Sequence, residues 1–254
     1  MILDIANLQG DGQRQYQQDF FALSDADPAA VTTHGFDLVL ADGMGGALDG
    51  AEIARETVDL LYERLVPVAP SGTPRERPMP ATSNEQVLSA IEEANTRIYQ
   101  RYHESGGTTL VVARIREGQL WFASVGDSNV YLRRRGRLLE LTRRHEYLYD
   151  LYDHVLDGLL SIEDARDNPQ AKALSSFIGS GSLRIDHSQE PFALESGDVL
   201  LVCSDGISDT LTTTQLLEAS AQSAQHCCDL LEDMIKTVAL PNQDNYTAIV
   251  VCYA

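Results

Sequence analysis

Three apolar runs in this sequence end the same way, in an aspartate followed by a small residue. They are Leu38-Val39-Leu40-Ala41-Asp42-Gly43, Phe122-Ala123-Ser124-Val125-Gly126-Asp127-Ser128 and Leu200-Leu201-Val202-Cys203-Ser204-Asp205-Gly206. Two further runs begin with an aspartate: Asp19 precedes Phe20-Phe21-Ala22-Leu23, and Asp244-Asn245-Tyr246 precedes Thr247-Ala248-Ile249-Val250-Val251. Any one of these aspartates alone would be an ordinary turn former. In an antiparallel sheet, however, the end of one strand lies beside the start of its neighbour, so the pattern predicts all five on one rim. Carboxylates at ~4 Å repel by about 4 kcal/mol per pair at an effective dielectric of 20, and such a cluster calls for protons or cations. With oxygen donors only, no Cys pair and no His at ligand spacing, Mg²⁺ or Mn²⁺ suits the set better than Zn²⁺. The glycines after Asp42 and Asp205 permit tight turns, and the bare carbonyl of Gly43 is itself a candidate ligand. Arg14, five positions before Asp19, is the candidate for gripping phosphate, because guanidinium pairs bidentately with its oxygens.

The elements that must position these residues are short apolar runs bounded by Gly, Asp or Ser. They predict strands over 20–23, 36–41, 108–115, 119–125, 130–133, 199–204 and 247–253. Tight turns such as Arg116-Glu117-Gly118 and Arg134-Arg135-Gly136 join several of them directly, which is antiparallel connection. Helical spacing appears in Ala54, Val58, Leu61 and Leu65, and in Val87, Ile91, Ala94 and Ile98 after a Ser83-x-x-Gln86 capping box. Two more helices follow Thr212-x-x-Gln215 and Ser223 near the end of the chain. Five of the nine prolines fall between Pro67 and Pro80, which predicts an exposed loop between helices. Because the site draws on both ends of the sequence, residues 1–254 are read as a single domain.

Composition narrows the function classes. The chain has 254 residues and a formal net charge of −19, which disfavours nucleic acid and anionic membranes as partners. The one dense basic run, Arg133-Arg134-Arg135-Gly136-Arg137 with Arg143-Arg144 nearby, reads as a solvated strand-turn edge, with a patch for an acidic or phosphorylated partner as the alternative. The longest apolar stretch, Ala248 to Ala254, is far short of the ~20 residues of a membrane helix. No secretory signal is legible at Met1-Ile2-Leu3-Asp4, so a cytoplasmic location and no membrane association are expected. The four cysteines lack zinc-site or CxxC spacing and read as reduced, buried or half-buried thiols.

Taken in chain order, these residues resemble the metal-dependent protein phosphatase family, type 2C, in its compact bacterial form. The matching segments are Gly12-Gln13-Arg14 through Gln18-Asp19; Asp42-Gly43-Met44-Gly45-Gly46 with Gly50 and Glu52-Ile53-Ala54; Gly107-Thr108-Thr109; Val125-Gly126-Asp127-Ser128 with Tyr131; Ser204-Asp205-Gly206-Ile207 with Asp209; and Asp244-Asn245-Tyr246-Thr247. The resemblance implies an α+β fold, a four-layer α/β/β/α sandwich of two packed antiparallel sheets flanked by helices, with two divalent metals, Mn²⁺ or Mg²⁺, at one end. By that analogy Asp42, with the Gly43 carbonyl, bridges the metals, Asp205 and Asp244 complete one, and Asp19 holds the other through water. Asp127, with Asp209, falls at the position associated with a weaker third metal. The implied reaction is hydrolysis of phosphoserine and phosphothreonine in proteins by a metal-bridging hydroxide, with Arg14 on the phosphate and no phosphoenzyme. Phosphorylated proteins made by a serine/threonine kinase are the implied partners, and a monomer is expected. Residues of about 145–179 resemble the family's flap subdomain beside the cleft.

The sequence departs from the family pattern in places. The usual Asn-Gln-Asp is Gln17-Gln18-Asp19, and positions where relatives carry His hold Met44 and Ala47, which leaves the leaving-group acid unassigned, with a metal-bound water as one candidate. His145 matches a family His but reads as an exposed residue at a helix start. The alternatives to an active phosphatase are a binding module that keeps the fold without turnover, and an unrelated two-metal hydrolase acting on nucleotides or nucleic acid. Every carboxylate position being Asp argues against the first, and the net charge against the second.

Overall fold

The computed structural model describes residues 2–45, 49–65, 83–103 and 105–254. In chain order the elements are β1 (Leu3–Gly10), β2 (Asp19–Leu23), α1 (Pro28–His34), β3 (Phe36–Gly45), α2 (Asp49–Leu65) and α3 (Asn84–Tyr102). There follow β4 (Gly106–Thr108), β5 (Leu110–Arg116), β6 (Gln119–Val125), β7 (Asn129–Arg134), β8 (Arg137–Glu140), α4 (Tyr147–Leu156) and α5 (Ile162–Arg166). The chain ends with β9 (Asp186–His187), β10 (Phe192–Ala193), β11 (Val199–Cys203), α6 (Asp205–Ser208), α7 (Thr213–Ala219), α8 (Ala224–Val238) and β12 (Tyr246–Tyr253).

These strands form two antiparallel sheets. One runs β1-β12-β11-β7-β8, and the other runs β10-β6-β5-β3-β2 with β4 beside β3 and β9 beside β6. The side-chain period of two explains the layering. On β3, Leu38 and Leu40 face a core shared with Val202, Leu200, Ile249 and Val251 of the opposite sheet, whereas Val39 and Ala41 pack on Ile53, Leu61 and Ile91 of α2 and α3. The far face of the other sheet, through Leu201, Cys203 and Val250, packs on Leu216, Leu231 and Ile235 of α7 and α8. The result is the four-layer sandwich, with each fully buried Leu or Ile contributing roughly 1.5–3 kcal/mol.

Local chemistry sets the element ends. Ser83 and Gln86 cap α3 reciprocally, and Thr212 and Gln215 do the same for α7, while Ser223 precedes α8 without a side-chain cap bond. The two hairpin turns pair a left-handed non-glycine with a glycine, Glu117-Gly118 at φ 51° and 74° and Arg135-Gly136 at 51° and 73°. The basic run is therefore a strand-turn edge, as predicted, with Arg134 bound to Asp198 at 2.5 Å and Arg135 to Glu195 at 2.6 Å. Cys203, Cys227 and Cys228 are buried and Cys252 half-buried, all as free thiols.

Several expectations are corrected. β1, β8, the short strands β9 and β10, and helices α1 and α6 were not predicted, because edge strands alternate with exposed polar residues and α6 spans a single turn. The strand predicted over 108–115 is divided at Thr109 into β4 and β5. Asp42 does not end its strand: β3 continues to Gly45 by leaving β5 and pairing with β4. The Pro-rich loop predicted between helices lies outside the described residues.

Asp37, near the start of β3, is buried against buried Arg114 (Nε–Oδ1 2.9 Å) and also pairs with Arg116. It stands five residues from Asp42, about 17 Å along the strand. Asp37→Ala leaves Arg114 buried and unpaired and is expected to cost about 3–5 kcal/mol in urea unfolding. Specific activity per folded molecule should stay near the parent value; an unchanged unfolding midpoint would contradict the role assigned to this pair.

Candidate metal centre

The site lies where the two sheets meet at one end. β2 and β3 are in register so that Asp19 faces Asp42 directly. The backbone of Asp42 is clamped where β3 changes partner: its N–H donates to Thr109 Oγ1 at 3.0 Å, and its carbonyl accepts from Thr108 Oγ1 and Thr109 N–H, each at 2.8 Å. Thr109 Oγ1 also bonds Ser128 Oγ at 2.8 Å, which ties the Asp42 strand to the turn that carries Asp127.

Asp19 is bound from the opposite sheet. Its Oδ2 accepts from Ser204 Oγ at 2.8 Å and from Thr247 Oγ1 at 2.7 Å, and the residue is 1% exposed. Its Oδ1 is buried with no hydrogen-bond partner. Gln17, the departure from the family's Asn, accepts the Asp19 N–H at 2.8 Å through Oε1 and so supports the carboxylate rather than displacing it. Asn245 joins the termini by accepting from Gln18 N–H at 2.9 Å and donating to Asp11 O at 3.0 Å.

The glycines of the two Asp-Gly pairs are needed for close approach, not for a left-handed backbone. A Cβ on Gly43 would stand 2.2 Å from the Gly50 carbonyl oxygen at the start of α2, and one on Gly206 would stand 1.9 Å from the Asn245 carbonyl oxygen. The chain packs its own backbone here because side chains would push Asp42 and Asp205 away from the rim.

Burial dominates the electrostatics. It pushes the Asp19 carboxyl up to about 6 against the opposing bonds from Thr247 and Ser204. Burial, reinforced by Asp19 and Asp205, holds Asp42 well above the usual carboxylate range, and burial with Asp209 and Asp244 raises Asp205. Asp205 adds its repulsion to both Asp19 and Asp42. Arg14 meets Asp244 in a two-pronged pair, Nε–Oδ1 at 2.8 Å and Nη2–Oδ2 at 2.6 Å, and remains half exposed. Among the described residues no three His, Cys, Asp or Glu side chains are drawn together tightly enough to enclose an ion. The donor chemistry nevertheless fits hard divalent cations: all-oxygen ligands, carboxylates that resist ionising beside one another, and one buried carboxylate oxygen left unpartnered.

The outer carboxylates divide. Asp127, after Gly126 at the end of β6, is raised to about 7 by burial and by Asp205, with Arg144 opposing. Asp209 differs: burial alone would raise it, but Arg144 Nη1 at 2.8 Å and Lys172 Nζ at 2.7 Å take one oxygen each and hold it below its ordinary range. Asp209 therefore does not fit a metal-ligand role in this arrangement. His145 is also corrected. It is 8% exposed, precedes α4 rather than starting it, and its Nδ1 accepts the Gly126 N–H at 3.1 Å. Burial, with Arg184 beside it, holds this imidazole below its usual range. The segment of about 145–179 contributes α4 and α5, and its ends are joined through Tyr147 N–H to Ala173 O and Ser175 N–H to His145 O, each 2.8 Å. The motifs around Ser204, Thr247 and Thr109 carry no sequence signal for these orienting bonds, and Arg144 is masked in sequence by its basic run.

Comparison with known proteins agrees with this fold. The family model described as Protein phosphatase 2C matches residues 12–243. The serine/threonine phosphatase Stp of Listeria welshimeri is 30% identical over 223 residues, covering 84% of this chain and 83% of that protein. The serine/threonine phosphatase of S. agalactiae superposes with a TM-score of 0.79 at 26% identity, over 99% of this chain and 100% of that one. The catalytic domain of the serine/threonine phosphatase PstP, solved with two manganese ions, shares the fold with a TM-score of 0.73 at 23% identity, over 99% and 98% of the two chains.

The raised carboxyls make a pH test possible. A carboxyl lifted on folding lends stability that is complete below its unfolded pKa and is lost as pH rises through its folded one. For Asp19 and Asp127, at about 6 and about 7, that window runs from pH 4 to 7.5. Metal-free protein should therefore melt at progressively lower temperature between pH 4 and 7.5, with Asp19 alone accounting for on the order of 3 kcal/mol across that whole window. In calorimetry an Asp19→Asn/Asp127→Asn double variant should show a flatter profile; a slope equal to the parent's would contradict the assignment.

Proposed function

The chain belongs to the protein phosphatase 2C family, and on that premise we propose that Asp19, Asp42, Gly43, Asp205, Asp244 and Arg14 carry the hydrolysis of phosphoserine and phosphothreonine in proteins. It is a metal-dependent protein serine/threonine phosphatase. The observation that supports this site most is Asp19: a buried carboxylate with one oxygen held by two hydroxyls of the opposite sheet and the other left without a partner.

Asp42, Asp205, Asp244 and the Gly43 carbonyl would hold two divalent ions, with Asp19 at the second. Bound there, the ions neutralise charge on the phosphoryl group and lower the pKa of water, which removes the need for a nucleophilic side chain. The chain's own residues orient the pieces. Ser204 and Thr247 fix the Asp19 carboxylate, and the Thr108-Thr109 clamp fixes the backbone of Asp42. Arg14 presents to Asp244 the same fork of Nε and Nη2 that fits two oxygens of a phosphate monoester, and its half-exposed side chain can turn from one anion to the other. Asp127 sits beside Asp205 as a further carboxylate of the rim.

Substrates are phosphorylated proteins. A serine/threonine kinase that generates them, a cytoplasmic setting and a monomeric enzyme complete the proposal, together with a flap formed by residues 145–179. Among the described residues no helix is long and apolar enough to cross a membrane.

The first experiment is release of phosphate from a phosphothreonine peptide in EDTA, Mg²⁺ and Mn²⁺. Activity should appear only with metal, and Asp42→Ala and Asp205→Ala should abolish it; full turnover by both folded variants would overturn the site. Arg14→Ala should lower kcat/KM roughly 100-fold at saturating metal. Ser204→Ala and Thr247→Val, which release the Asp19 carboxylate and also free the Thr247 N–H and the Gln9 amide that these hydroxyls accept from, should weaken metal binding roughly 10- to 100-fold in calorimetric titration, with kcat largely recovered at high Mn²⁺.

A further inference from the structure

Arg144 is a half-buried cation for which the reaction described above has no use. Its side chain is 15% exposed and lies between β8, the entry to the flap segment and α6. Nη1 reaches Asp209 Oδ1 at 2.8 Å and Glu146 Oε1 at 3.2 Å, Nη2 reaches Ser208 Oγ at 2.8 Å, and Nε stands 3.8 Å from Glu140 Oε1. Ser208 Oγ in turn accepts from Asn129 Nδ2 at 2.9 Å, and the same Nδ2 donates to the Asp127 carbonyl at 2.9 Å. Lys172, from the returning half of the flap segment, takes the second Asp209 oxygen at 2.7 Å. One guanidinium thus bonds α6, whose first residue is Asp205, and connects through Ser208 and Asn129 to the turn that carries Asp127.

We propose that the guanidinium of Arg144, assisted by Lys172, takes the electrostatic place of a third divalent ion beside Asp127 and Asp209, so that this chain binds two metal ions rather than three. Resemblance to the family puts a weaker ion at that position, and the residues here do not fit one. Both Asp209 oxygens are engaged by cations, and an incoming divalent ion would meet two positive charges where it needs free carboxylate. The two cations contribute unequally. Lys172 is 78% exposed and can swing into water, whereas Arg144 is held by several acceptors and cannot leave without stranding a buried charge. Asp127 keeps a carboxylate on the rim but no longer shares an ion with Asp209. The same contacts fasten the flap segment to α6 from both of its ends, through Arg144 and Lys172.

This inference rests on the two-metal reading above, and counting ions separates the two. The full chain is dialysed to equilibrium against Mn²⁺ and bound metal is measured per chain, with thermal unfolding as the check on folding. Wild type should bind two ions, and Asp209→Asn should also bind two. Arg144→Gln combined with Lys172→Met, which keeps a polar group at Ser208 but removes both charges, should gain a third ion that Asp209→Asn then abolishes. Arg144→Lys, which restores a charge at that position, should return the count to two. A third ion in wild type that Asp209→Asn removes would overturn the proposal, as would a folded charge-free variant that still binds two. Should that variant fail to fold, the wild-type and Asp209→Asn counts decide alone: two in both supports the proposal. Fewer than two ions in wild type would overturn the two-metal reading as well.

Discussion

The constraint on which the rest of this structure depends is the repulsion among carboxylates gathered in a poorly hydrated seam between two sheets. Asp19 and Asp42 face one another across β2 and β3, and Asp205 reaches the same space from the other sheet. Burial and mutual charge raise all three, so the folded chain holds a set of acids that are hard to ionise together. Such an arrangement is unfavourable for folding alone and favourable for a chain that recruits divalent cations.

The rigidity needed to hold that seam comes from elsewhere. Between the sheets, Leu38, Leu40, Leu200, Val202, Ile249 and Val251 make a dry core, and helices close both outer faces. At the rim the work passes from apolar packing to polar clamps and close backbone approach: Thr108 and Thr109 on Asp42, Ser204 and Thr247 on Asp19, Gly43 against Gly50 and Gly206 against Asn245. Hydroxyls suit this task because they stabilise one carboxylate oxygen without neutralising the group. Arg14 and Arg144 supply positive charge on either side, one exposed enough to move and one held in place.

How much of this was legible in the sequence follows from the range of the interactions. An aspartate at the edge of an apolar run is a local signal, and five of them in matching positions point to one rim, whereas the two-sheet sandwich follows from the resemblance of the ordered motifs to a known family. The capping boxes at Ser83 and Thr212 were equally local. The orienting bonds were not, because Asp19 meets Ser204 and Thr247 across separations of 185 and 228 residues that no spacing pattern encodes. Arg144 was hidden in a basic run whose neighbours are solvated, and His145 looked like an exposed helix start because only the tertiary contact with Gly126 buries it. The apolar run stops at Asp42 and so predicts a strand end there, whereas β3 continues as a glycine-rich strand paired with β4.

The central claim, that the seam between the sheets is a two-ion centre built on Asp42, is tested most directly by anomalous diffraction at the manganese edge from crystals grown with Mn²⁺. Two peaks should appear, both about 2.0–2.3 Å from Asp42 or Gly43 oxygens, with Asp205 and Asp244 around one, Asp19 on the side of the other, and Arg14 released from Asp244. Peaks confined to other acidic surfaces, with Arg14 still paired to Asp244 and nothing beside Asp42, would contradict it.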